Sequence, residues 1–446
     1  MSERNIAEPE KIVDTLVSLA KRRGFIYQSS EIYGGVAAIY DFGPLGVALR
    51  RNIRDLWWRH TVELRHDVVG HERAVIMHPR TWEASGHVES FSDPLVECKT
   101  CHSRYRADKL EGPCPSCGGT DFSEPRQFNL MFQTFLGPVE DSAARAFLRP
   151  ETAQGMFVQF ASVLNSTRKR IPFGIAQVGK SFRNEITTEH FIFRLREFEQ
   201  LELEFFVKPG TDIEWLDTWR DARMSWWTQV LGVRQDKIHA RLLDADELSH
   251  YSAKGYEVEY AFPWGWGELE GIQDRTDYDL SRHAEFSGRD LSFFDDATKE
   301  RYIPYVIEPS MGLERCMFTL MLEAYDEEEV RGEKRVVLRF HPNVAPIQVA
   351  VLPLSKNEAL LPMSREVEEL LRPHFRIEYD ETQSIGRRYR RHDEIGTPYA
   401  VTIDFESLED HAVTVRERDS MEQERVPVAE LVDRLKSRFA ATAEPG

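Results

Sequence analysis

The sequence predicts an α+β protein in which a central antiparallel hairpin is followed by a smaller α/β domain. Residues 173–207 read as two strands joined by a polar loop, and the second strand alternates with the period of two that a strand requires. After residue 341, strand and helix patterns alternate, which is typical of a mostly parallel sheet. Four cysteines between positions 98 and 117 indicate a separate metal-binding insertion.

The composition of the chain limits the classes of protein to which it can belong. The 446 residues are 41% hydrophobic and 30% charged, as in an ordinary globular protein. The net charge of −18 argues against general binding to nucleic acid, so we expect no DNA partner and only local arginine clusters for RNA. The start, MSERNIAEPEK, lacks the apolar core of a secretory signal, and no apolar run approaches the ~18 residues of a membrane span. We therefore expect a cytoplasmic protein without membrane contact.

The hairpin carries the most informative pattern. With a strand running from Arg194, one face presents Arg194, Arg196, Phe198, Gln200, Glu202 and Glu204. The other face presents Leu195, Glu197, Glu199, Leu201, Leu203 and Phe205. Arginine forks bind phosphate oxygens and a phenyl ring stacks on a base, so the first face suits an anionic, planar ligand that also has a cationic end. The alternative is the solvated face of an amphipathic hairpin.

Helical periodicity predicts three helices outside the hairpin. Residues 8–23, and the stretch that follows Gly43 and Pro44, carry apolar residues at steps of three or four. Residues 210–232 predict a helix whose tryptophans pack in the core. Residues 234–265 read as a variable insertion in which we recognise no chemistry.

Two glutamates lie near the ends of a predicted helix and a predicted strand. Glu151 follows Arg149 and Pro150 at a helix start, where an acid can also simply interact with the helix dipole. Glu268 precedes Leu269 on a glycine-flanked strand, where the alternative is a solvated acid.

Residues 302–325 predict a strand, a turn and an apolar helix. The strand is expected to end at Glu308, Pro309 and Gly312 to turn the chain, and the helix to begin near Arg315. Residues 326–346, an acidic run followed by basic residues and two prolines, read as a linker.

The predicted C-terminal domain contains a basic cluster on an otherwise acidic chain. Its members are Arg387, Arg388, Tyr389, Arg390 and Arg391. Arginine and aromatic side chains together are typical of contacts to unpaired RNA bases. The alternative is a solvated helix face that neutralises nearby acids.

The cysteine pattern is Cys98-x2-Cys101-x12-Cys114-x2-Cys117. Two CxxC pairs at this separation predict a structural zinc ion with four thiolate ligands. The segment between the pairs is short and polar, so metal binding would supply its folding energy. The alternatives are disulfides or a site without metal.

Several of these segments resemble the motifs of class II aminoacyl-tRNA synthetases, in the form of the glycine-specific branch. F-R-N-E from Phe182, a loop, and R-E-F-x-Q-x-E from Arg196 are similar to motif 2. G-L-E-R, which ends at Arg315 and follows E-P-S, is similar to motif 3. Y-D-F-G-P-L-G and its helix resemble motif 1, although the usual proline is not obvious and Pro79 is the nearest candidate. The last domain resembles the anticodon-binding domain of the glycine, threonine, proline and histidine enzymes.

This resemblance implies a homodimer with an antiparallel catalytic sheet flanked by helices. Residues 1–90 would form its first part with motif 1, and residues 126–338 its second part with motifs 2 and 3. A zinc-binding insertion would occupy residues 91–125, and the anticodon-binding domain residues 341–446.

The implied reaction is ATP-dependent attachment of glycine to tRNA(Gly) through a glycyl-adenylate, with Mg²⁺ held partly by Glu268. The implied catalytic residues are Arg183, Arg196 and Arg315. Those implied to bind ATP are Arg183, Asn184, Glu185, Phe193, Arg194, Leu195, Arg196, Glu197, Phe198, Glu268, Leu269, Gly312 and Arg315. Those implied to bind glycine or its adenylate are Arg106, Glu151, Phe198, Glu199, Gln200, Leu201, Glu202, Glu308, Ser310 and Gly312. The cluster from Arg387 to Arg391 would bind tRNA.

Two other hypotheses stay open at this point. One is a sister synthetase for threonine, proline, serine or histidine, against which the E-P-S-M-G and R-E-F-E-Q-L-E segments argue. The other is a non-catalytic relative, which would be expected to lose Arg183, Arg196 and Arg315.

Overall fold

The structure is a computed structural model that describes residues 9–140, 144–188 and 190–443. The helices in these ranges are α1 (Pro9–Arg23), α2 (Pro44–Trp58), α3 (Pro79–Ala84), α4 (His87–Ser90), α5 (Ala153–Thr167), α6 (Asp212–Ser225), α7 (Tyr278–Ser287), α8 (Leu313–Ala324), α9 (Leu361–Leu371), α10 (Ile385–Ile395), α11 (Ser407–Asp410) and α12 (Leu431–Ala443).

The strands before residue 238 are β1 (Ile26–Gln28), β2 (Tyr40–Phe42), β3 (Val68–Gly70), β4 (Ser92–Glu97), β5 (Arg104–Arg106), β6 (Arg126–Asn129), β7 (Gln133–Phe135), β8 (Arg145–Phe147), β9 (Phe173–Phe182) and β10 (Glu197–Val207). The later strands are β11 (Ile238–Leu242), β12 (Lys254–Phe262), β13 (Gly265–Thr276), β14 (Phe293–Asp295), β15 (Glu300–Tyr302), β16 (Tyr305–Gly312), β17 (Tyr325–Val330), β18 (Glu333–Leu338), β19 (Val349–Pro353), β20 (Ile377–Tyr379), β21 (Tyr399–Ile403), β22 (Ala412–Glu417) and β23 (Gln423–Pro427).

A seven-stranded sheet forms the centre, in the order β11-β12-β13-β16-β10-β9-β3. Its strand pairs are antiparallel except β3 with β9. The predicted hairpin is β9 and β10, paired from Glu197 with Phe182 to Phe206 with Phe173. The strand therefore begins three residues later than predicted, and the predicted α+β class is confirmed.

The alternation along β10 decides which side chains enter the core. Leu201, Leu203 and Phe205 are fully buried and pack with apolar residues of α2, α6 and α8 on one face of the sheet. The opposite face carries polar residues, and helices α5 and α7 pack together beside it. Both faces of β10 are covered over most of its length, since α2, α6 and α8 pack on one face and α5 packs on the other.

Three predictions of local structure are wrong. The stretch predicted as a variable insertion contains β11 and β12, two strands of the central sheet. Pro309 does not end the preceding strand, since β16 continues to Gly312 and α8 follows directly. The predicted linker is a hairpin, β17 with β18, that pairs acidic with basic residues, as in Glu328 with Arg335 and Glu329 with Lys334. Opposite charges on facing strand positions favour this pairing.

The hairpin β17–β18 packs on α10 of the C-terminal part. Arg335 is fully buried, and its Nε donates to Asp393 of α10 at 2.8 Å. Its guanidinium also donates to Glu328 and to the backbone oxygen of Arg418. The cost of burying this charge is offset by acceptors drawn from both sides of the contact.

The C-terminal part is a five-stranded sheet in the order β20-β19-β21-β22-β23. The first three strands are parallel, as predicted, and β22 and β23 add antiparallel. Every residue of β19 and β21 is buried, since helices cover both faces.

No helix of the described residues is long and apolar enough to cross a membrane. The first eight residues, on which the expected absence of a secretory signal depends, lie outside the described ranges.

Candidate active site

A cleft of about 380 Å³ opens on the polar face of the central sheet. The residues predicted for the site that line it are Glu151, Arg183, Glu185, Phe193, Arg194, Leu195, Phe198, Gln200, Glu202, Glu268, Leu269, Glu308, Ser310, Gly312 and Arg315. They come from the segment before α5, from the β9–β10 hairpin and from β13, β16 and α8. Chain segments far apart in sequence therefore meet at one site.

The outer part of the cleft is cationic and aromatic. The Arg183 guanidinium lies 5.4 Å from the ring centres of both Phe91 and Phe198, and its Nε donates to the backbone oxygen of Pro150. Arg315 lies in the first turn of the apolar helix α8, which follows β16, and its guanidinium carbon lies 4.3 Å from the ring centre of Phe193. These rings hold the arginines in place while leaving their charge toward the cleft.

Arg315 also contacts Glu268 from the neighbouring strand. Its Nη1 donates to the Glu268 carboxylate at 2.9 Å and to the Glu268 backbone oxygen at 2.8 Å. The Glu268 side chain is 45% exposed, so its carboxylate can reach a ligand in the cleft.

The inner part of the cleft is a group of buried carboxylates. Glu202 accepts hydrogen bonds from Ser310 Oγ at 2.7 Å, from Gln200 Nε2 at 3.2 Å and from the hydroxyl of Thr152. The oxygens of Glu202, Glu204 and Glu308 lie within 4.8 Å of one another. So many acids around a small space would attract a cationic group.

Arg275 of β13 is the buried cation behind these acids, and sequence reasoning missed it. It is 1% exposed. Its Nε and Nη2 donate to Asp279 at 2.7 and 3.0 Å, and its Nη1 donates to Glu308 at 2.8 Å. The spacing of Arg275 and Asp279 across a strand-to-helix junction is the signal that would have indicated this pair.

Glu151 is held by the same network. Its carboxylate lies 3.3 Å from His87 Nε2, accepts from Gln154 Nε2 at 2.9 Å, and lies 3.9 Å from Arg275. Burial opposes its charge, yet His87 and Arg275 lower the pKa of Glu151 below its usual value. Glu151 is therefore an anion at neutral pH.

The predicted variable insertion supplies one wall of the cleft. Its lining residues are Leu243, Glu247, Ser249, Tyr251 and Glu257. The Tyr251 ring centre lies 3.7 Å from the Arg275 guanidinium carbon, so the ring covers the buried cation. Burial, then the neighbouring Glu268, raises the pKa of Glu257 to about 7. The segment before β12 is irregular, so no periodicity in the sequence pointed to it.

Some predicted site residues do not line the cleft. Glu199 and Leu201 are corrections, because the strand alternation turns both to the opposite face. Glu199 accepts from Arg50 at 2.8 Å, and Leu201 is fully buried in the core.

Four further predicted residues lie outside the lining. Arg106 is paired with Asp93 at 2.9 Å and Asp108 at 2.7 Å. Arg196 donates to the backbone oxygens of Glu185 and Ala37, which fixes the loop beside the cleft. Asn184 and Glu197 are likewise absent from the cleft wall, and Glu197 pairs with Lys180.

The four predicted metal ligands converge in the insertion between β4 and β6. The Sγ atoms of Cys98 and Cys117 lie 3.7 Å apart, and those of Cys101 and Cys114 lie 3.6 Å apart. A tetrahedral zinc with Zn–S bonds of about 2.3 Å has S–S edges of roughly 3.8 Å. A disulfide requires about 2.05 Å, so this arrangement fits a metal and not a disulfide.

All members of the basic cluster lie on helix α10, but they point to different sides of it. Arg387 is exposed, and Arg390 lies at the surface with a third of its side chain exposed. Arg388 is fully buried and donates to three backbone oxygens, those of Pro353, Leu354 and Asp380.

The remaining two members of the basic cluster are also engaged within the domain. The Tyr389 hydroxyl lies 2.6 Å from Thr402 Oγ1, and Arg391 pairs with Asp380. For Arg388 and Tyr389 this corrects the prediction of direct RNA contact, since their polar groups bond inside the domain.

A cleft with arginines at one end and carboxylates at the other can hold a ligand that is anionic at one end and cationic at the other. The cations can neutralise charge on phosphate, and the acids can bind an ammonium group. No nucleophile–base pair is required for joining such ligands, because alignment and charge neutralisation drive displacement at phosphorus.

Residues 138–325 match the family described as tRNA synthetase class II core domain (G, H, P, S and T), and residues 348–438 match the anticodon binding domain family. A glycine–tRNA ligase of Treponema denticola is 51% identical over 443 residues, covering 96% of this chain and 98% of the relative. One of Thermobifida fusca is 52% identical over 461 residues, covering 98% of this chain and 100% of the relative.

A solved structure agrees in fold. A prolyl-tRNA synthetase of Cryptosporidium parvum has a TM-score of 0.70 at 16% sequence identity, covering 98% of this chain and 79% of that chain.

Replacing Arg275 with lysine tests the buried network. Lysine keeps the charge but cannot form the bidentate pair with Asp279, so Arg275→Lys is expected to lower the free energy of unfolding by about 1.5–3 kcal/mol. The matched control is Arg282→Lys on α7, whose partner Glu285 is exposed, and it is expected to change stability by less than about 0.5 kcal/mol. Urea unfolding followed by tryptophan fluorescence measures both, and equal shifts would contradict the role given to Arg275.

Proposed function

The chain belongs to the glycine–tRNA ligase family, and we propose that its cleft joins glycine to ATP as glycyl-adenylate before the glycyl group passes to tRNA. As a class II synthetase it uses ATP with Mg²⁺ and attaches glycine to tRNA(Gly). The observation that carries the proposed site is the convergence of Arg183, Arg315 and Glu308, from three distant segments, on one cleft.

ATP occupies the outer, cationic part of the cleft in this proposal. Arg183 and Arg315 bind the phosphates, and Phe198 and Glu185 contact the adenine. Arg194, whose Nη1 lies 3.5 Å from Glu185, supports the reacting end. Arg196 acts indirectly, since its hydrogen bonds hold the backbone of Glu185 in place.

Glu268 would hold Mg²⁺ together with the phosphates. Its exposed carboxylate beside Arg315 fits an oxygen ligand for this ion. Magnesium, when bound, neutralises phosphate charge. Arg315 is free to exchange its contact with Glu268 for a phosphate oxygen, because both partners border open space in the cleft.

Glycine occupies the inner, acidic part. Its ammonium group would lie among Glu151, Glu202 and Glu308, and Ser310 holds Glu202 in position. A pocket that attracts a larger side chain separates two amino acids by only about 1–3 kcal/mol per methylene group. Exclusion is stronger, because carboxylates that fill the space beyond the α-carbon leave no room for a side chain.

The cysteine cluster is proposed to hold structural zinc. The S–S separations of 3.6 and 3.7 Å support four thiolate ligands around one ion. The surrounding strands β4, β5 and β6 are short, so zinc would stabilise the insertion without contacting the substrates.

The division of the chain is part of the same proposal. Residues 1–90 and 126–338 form the catalytic part, residues 91–125 the zinc insertion, and residues 341–446 the part that reads tRNA. Within the last part, Arg387 and Arg390 of α10 are the candidates for RNA contact because their side chains reach the surface.

We also propose a homodimer in the cytoplasm. The segment before motif 1 exposes large apolar side chains, with Ile32 86% and Tyr33 87% exposed, as expected of a surface that a second subunit covers. Four thiols placed for metal binding fit a reducing compartment.

Arg315→Ala tests the ATP site. Loss of a charge that neutralises phosphate is expected to lower glycine-dependent ATP–pyrophosphate exchange by about 10²-fold or more while the fold is kept. The control is Arg301→Ala, an exposed arginine paired with Asp290 away from the cleft, which is expected to keep the rate within roughly twofold. Near-normal exchange by Arg315→Ala would remove Arg315 from the mechanism.

Elemental analysis tests the metal. The purified chain is expected to hold about one zinc ion. Cys101→Ser is expected to lose it, because three thiolates leave the tetrahedron incomplete, whereas Cys316→Ser, a buried cysteine far from the cluster, is expected to retain it. A chain without zinc that keeps its full stability would contradict the structural role.

Arg387→Ala combined with Arg390→Ala tests tRNA binding. Charging is expected to show a KM for tRNA raised roughly tenfold, with pyrophosphate exchange unchanged, because the two sites lie in different parts of the chain. Arg372→Ala serves as the control, since this exposed arginine of the same domain pairs with Glu368. If exchange fell as much as charging, the assignment of α10 to tRNA would be wrong.

A further inference from the structure

Glu204 is a buried acid for which the proposed reaction has no direct use. It lies on β10 two residues after Glu202 and on the same face, and it is 0% exposed. Neither of its carboxylate oxygens accepts a hydrogen bond from any residue in the described ranges. An ionised carboxylate in such a position is strongly disfavoured, because burial removes water and nothing replaces it.

The strand register places Glu204 against Glu308. Residues of β10 and β16 pair as Glu202 with Ser310 and Phe205 with Ile307, so Glu204 faces Glu308 across the two strands. One carboxylate oxygen of each lies within 4.8 Å of the other, and one oxygen of Glu202 is within the same distance of both. On its other side, β10 pairs with β9, where Glu204 faces the apolar Ile175.

The charged groups around Glu204 are mostly acids. Among the described residues, those whose charges act most strongly on Glu204 are Glu308 from β16, Glu202 from its own strand, Asp279 from α7 and the cation Arg275 from β13. Helix α5, which also packs against β10, contributes no charged residue. Burial, and then the charge of Glu308, raises the pKa of Glu204 well above its usual value.

Glu204 and Glu308 therefore form a pair that holds one proton between them. Glu308 already accepts from Arg275 at 2.8 Å, whereas no donor in the part of the chain that the structure describes reaches Glu204. The proton belongs on Glu204, since only the carboxylate with a cationic partner is stable as an anion.

We propose that Glu204 is a positioning residue for the ammonium site: it stays a neutral acid and donates its O–H to Glu308, orienting that carboxylate toward the amino group of glycine. The inference rests on the proposed placement of glycine between Glu202 and Glu308. A neutral Glu204 also removes one negative charge from the group of acids beneath the substrate, where Arg275 is the buried cation.

Two substitutions test whether Glu204 acts as a neutral hydrogen-bond donor. Glu204→Gln keeps the size and a donor without any charge, whereas Glu204→Leu keeps the approximate size and removes the donor. Glu204→Gln is expected to keep the KM for glycine within about threefold. Glu204→Leu is expected to raise that KM at least about tenfold in pyrophosphate exchange, with little change in kcat or in the KM for ATP.

One result of the KM measurements would contradict the proposed role of Glu204. A glycine KM unchanged in Glu204→Leu would overturn the positioning role. Should Glu204→Leu fail to fold, Glu204→Met makes the same comparison, because it also lacks a donor and its unbranched chain adapts to the space.

The protonation state is tested without glycine, by the melting temperature as a function of pH. The folded state keeps the Glu204 proton at pH values where the unfolded chain has lost it, so wild-type stability falls as pH rises above the ordinary glutamate range. Relative to wild type, Glu204→Gln is expected to gain at least about 2 °C in melting temperature between pH 5 and pH 8.

The matched control is Glu270→Gln. Glu270 is also buried, but it accepts from Arg223 Nε at 2.6 Å and from Trp227 Nε1 at 2.7 Å, so it is expected to lose stability when its charge is removed. If Glu204→Gln lost stability at pH 8 as Glu270→Gln does, Glu204 would be an anion and the proposal would be wrong. This result does not depend on where glycine binds, so its failure is distinguishable from an error in the placement of glycine.

Discussion

The bidentate pair between Arg275 and Asp279 is the interaction on which the inner cleft depends. It places one buried guanidinium where β13, β16 and α7 meet. The remaining terminal nitrogen of Arg275, Nη1, donates to Glu308. Without this cation, the acids of β10 and β16 would repel one another in a low-dielectric environment. The acidic surface offered to glycine is therefore stable because a permanent positive charge lies directly behind it.

The alternation of side chains along β10 decides which face of the central sheet carries the polar residues of the cleft. One face of β10 is apolar and packs on α2, α6 and α8, so the residues between must point to the other face. That face meets the acids of β16 toward the interior and the arginines of the hairpin loop and of α8 toward the solvent. A ligand with a cationic end and phosphates is thus oriented before any chemistry takes place, which is the requirement for displacement at phosphorus.

Much of this architecture was predictable from periodicity, and the exceptions have identifiable causes. The alternation from Phe198 to Phe205 placed Glu202 correctly, and the same rule should have turned Glu199 and Leu201 away from the site. Arg388 could have been assigned to the interior, since Arg388, His392 and Ile395 follow a helical spacing and all are buried.

Tyr251 lies in an irregular stretch where periodicity carries no information, so it could be found only from the folded chain. Residues 326–346 are predicted as a linker when the acidic run and the basic run are considered separately. In the hairpin those runs face each other.

Arg335 joins the hairpin β17–β18 to the C-terminal part of the chain. Its charge is fully buried only because Asp393 and the backbone oxygen of Arg418 lie on the far side of the contact. A fragment that stopped after β18 would keep Glu328 as the only acidic partner of Arg335 and would expose the side of the guanidinium that Asp393 covers. The part that carries α10 is for this reason not a detachable module. Besides the pair of Arg335 with Asp393, ion pairs of Arg23 with Glu394 and of Arg339 with Asp419 tie it to the rest of the chain.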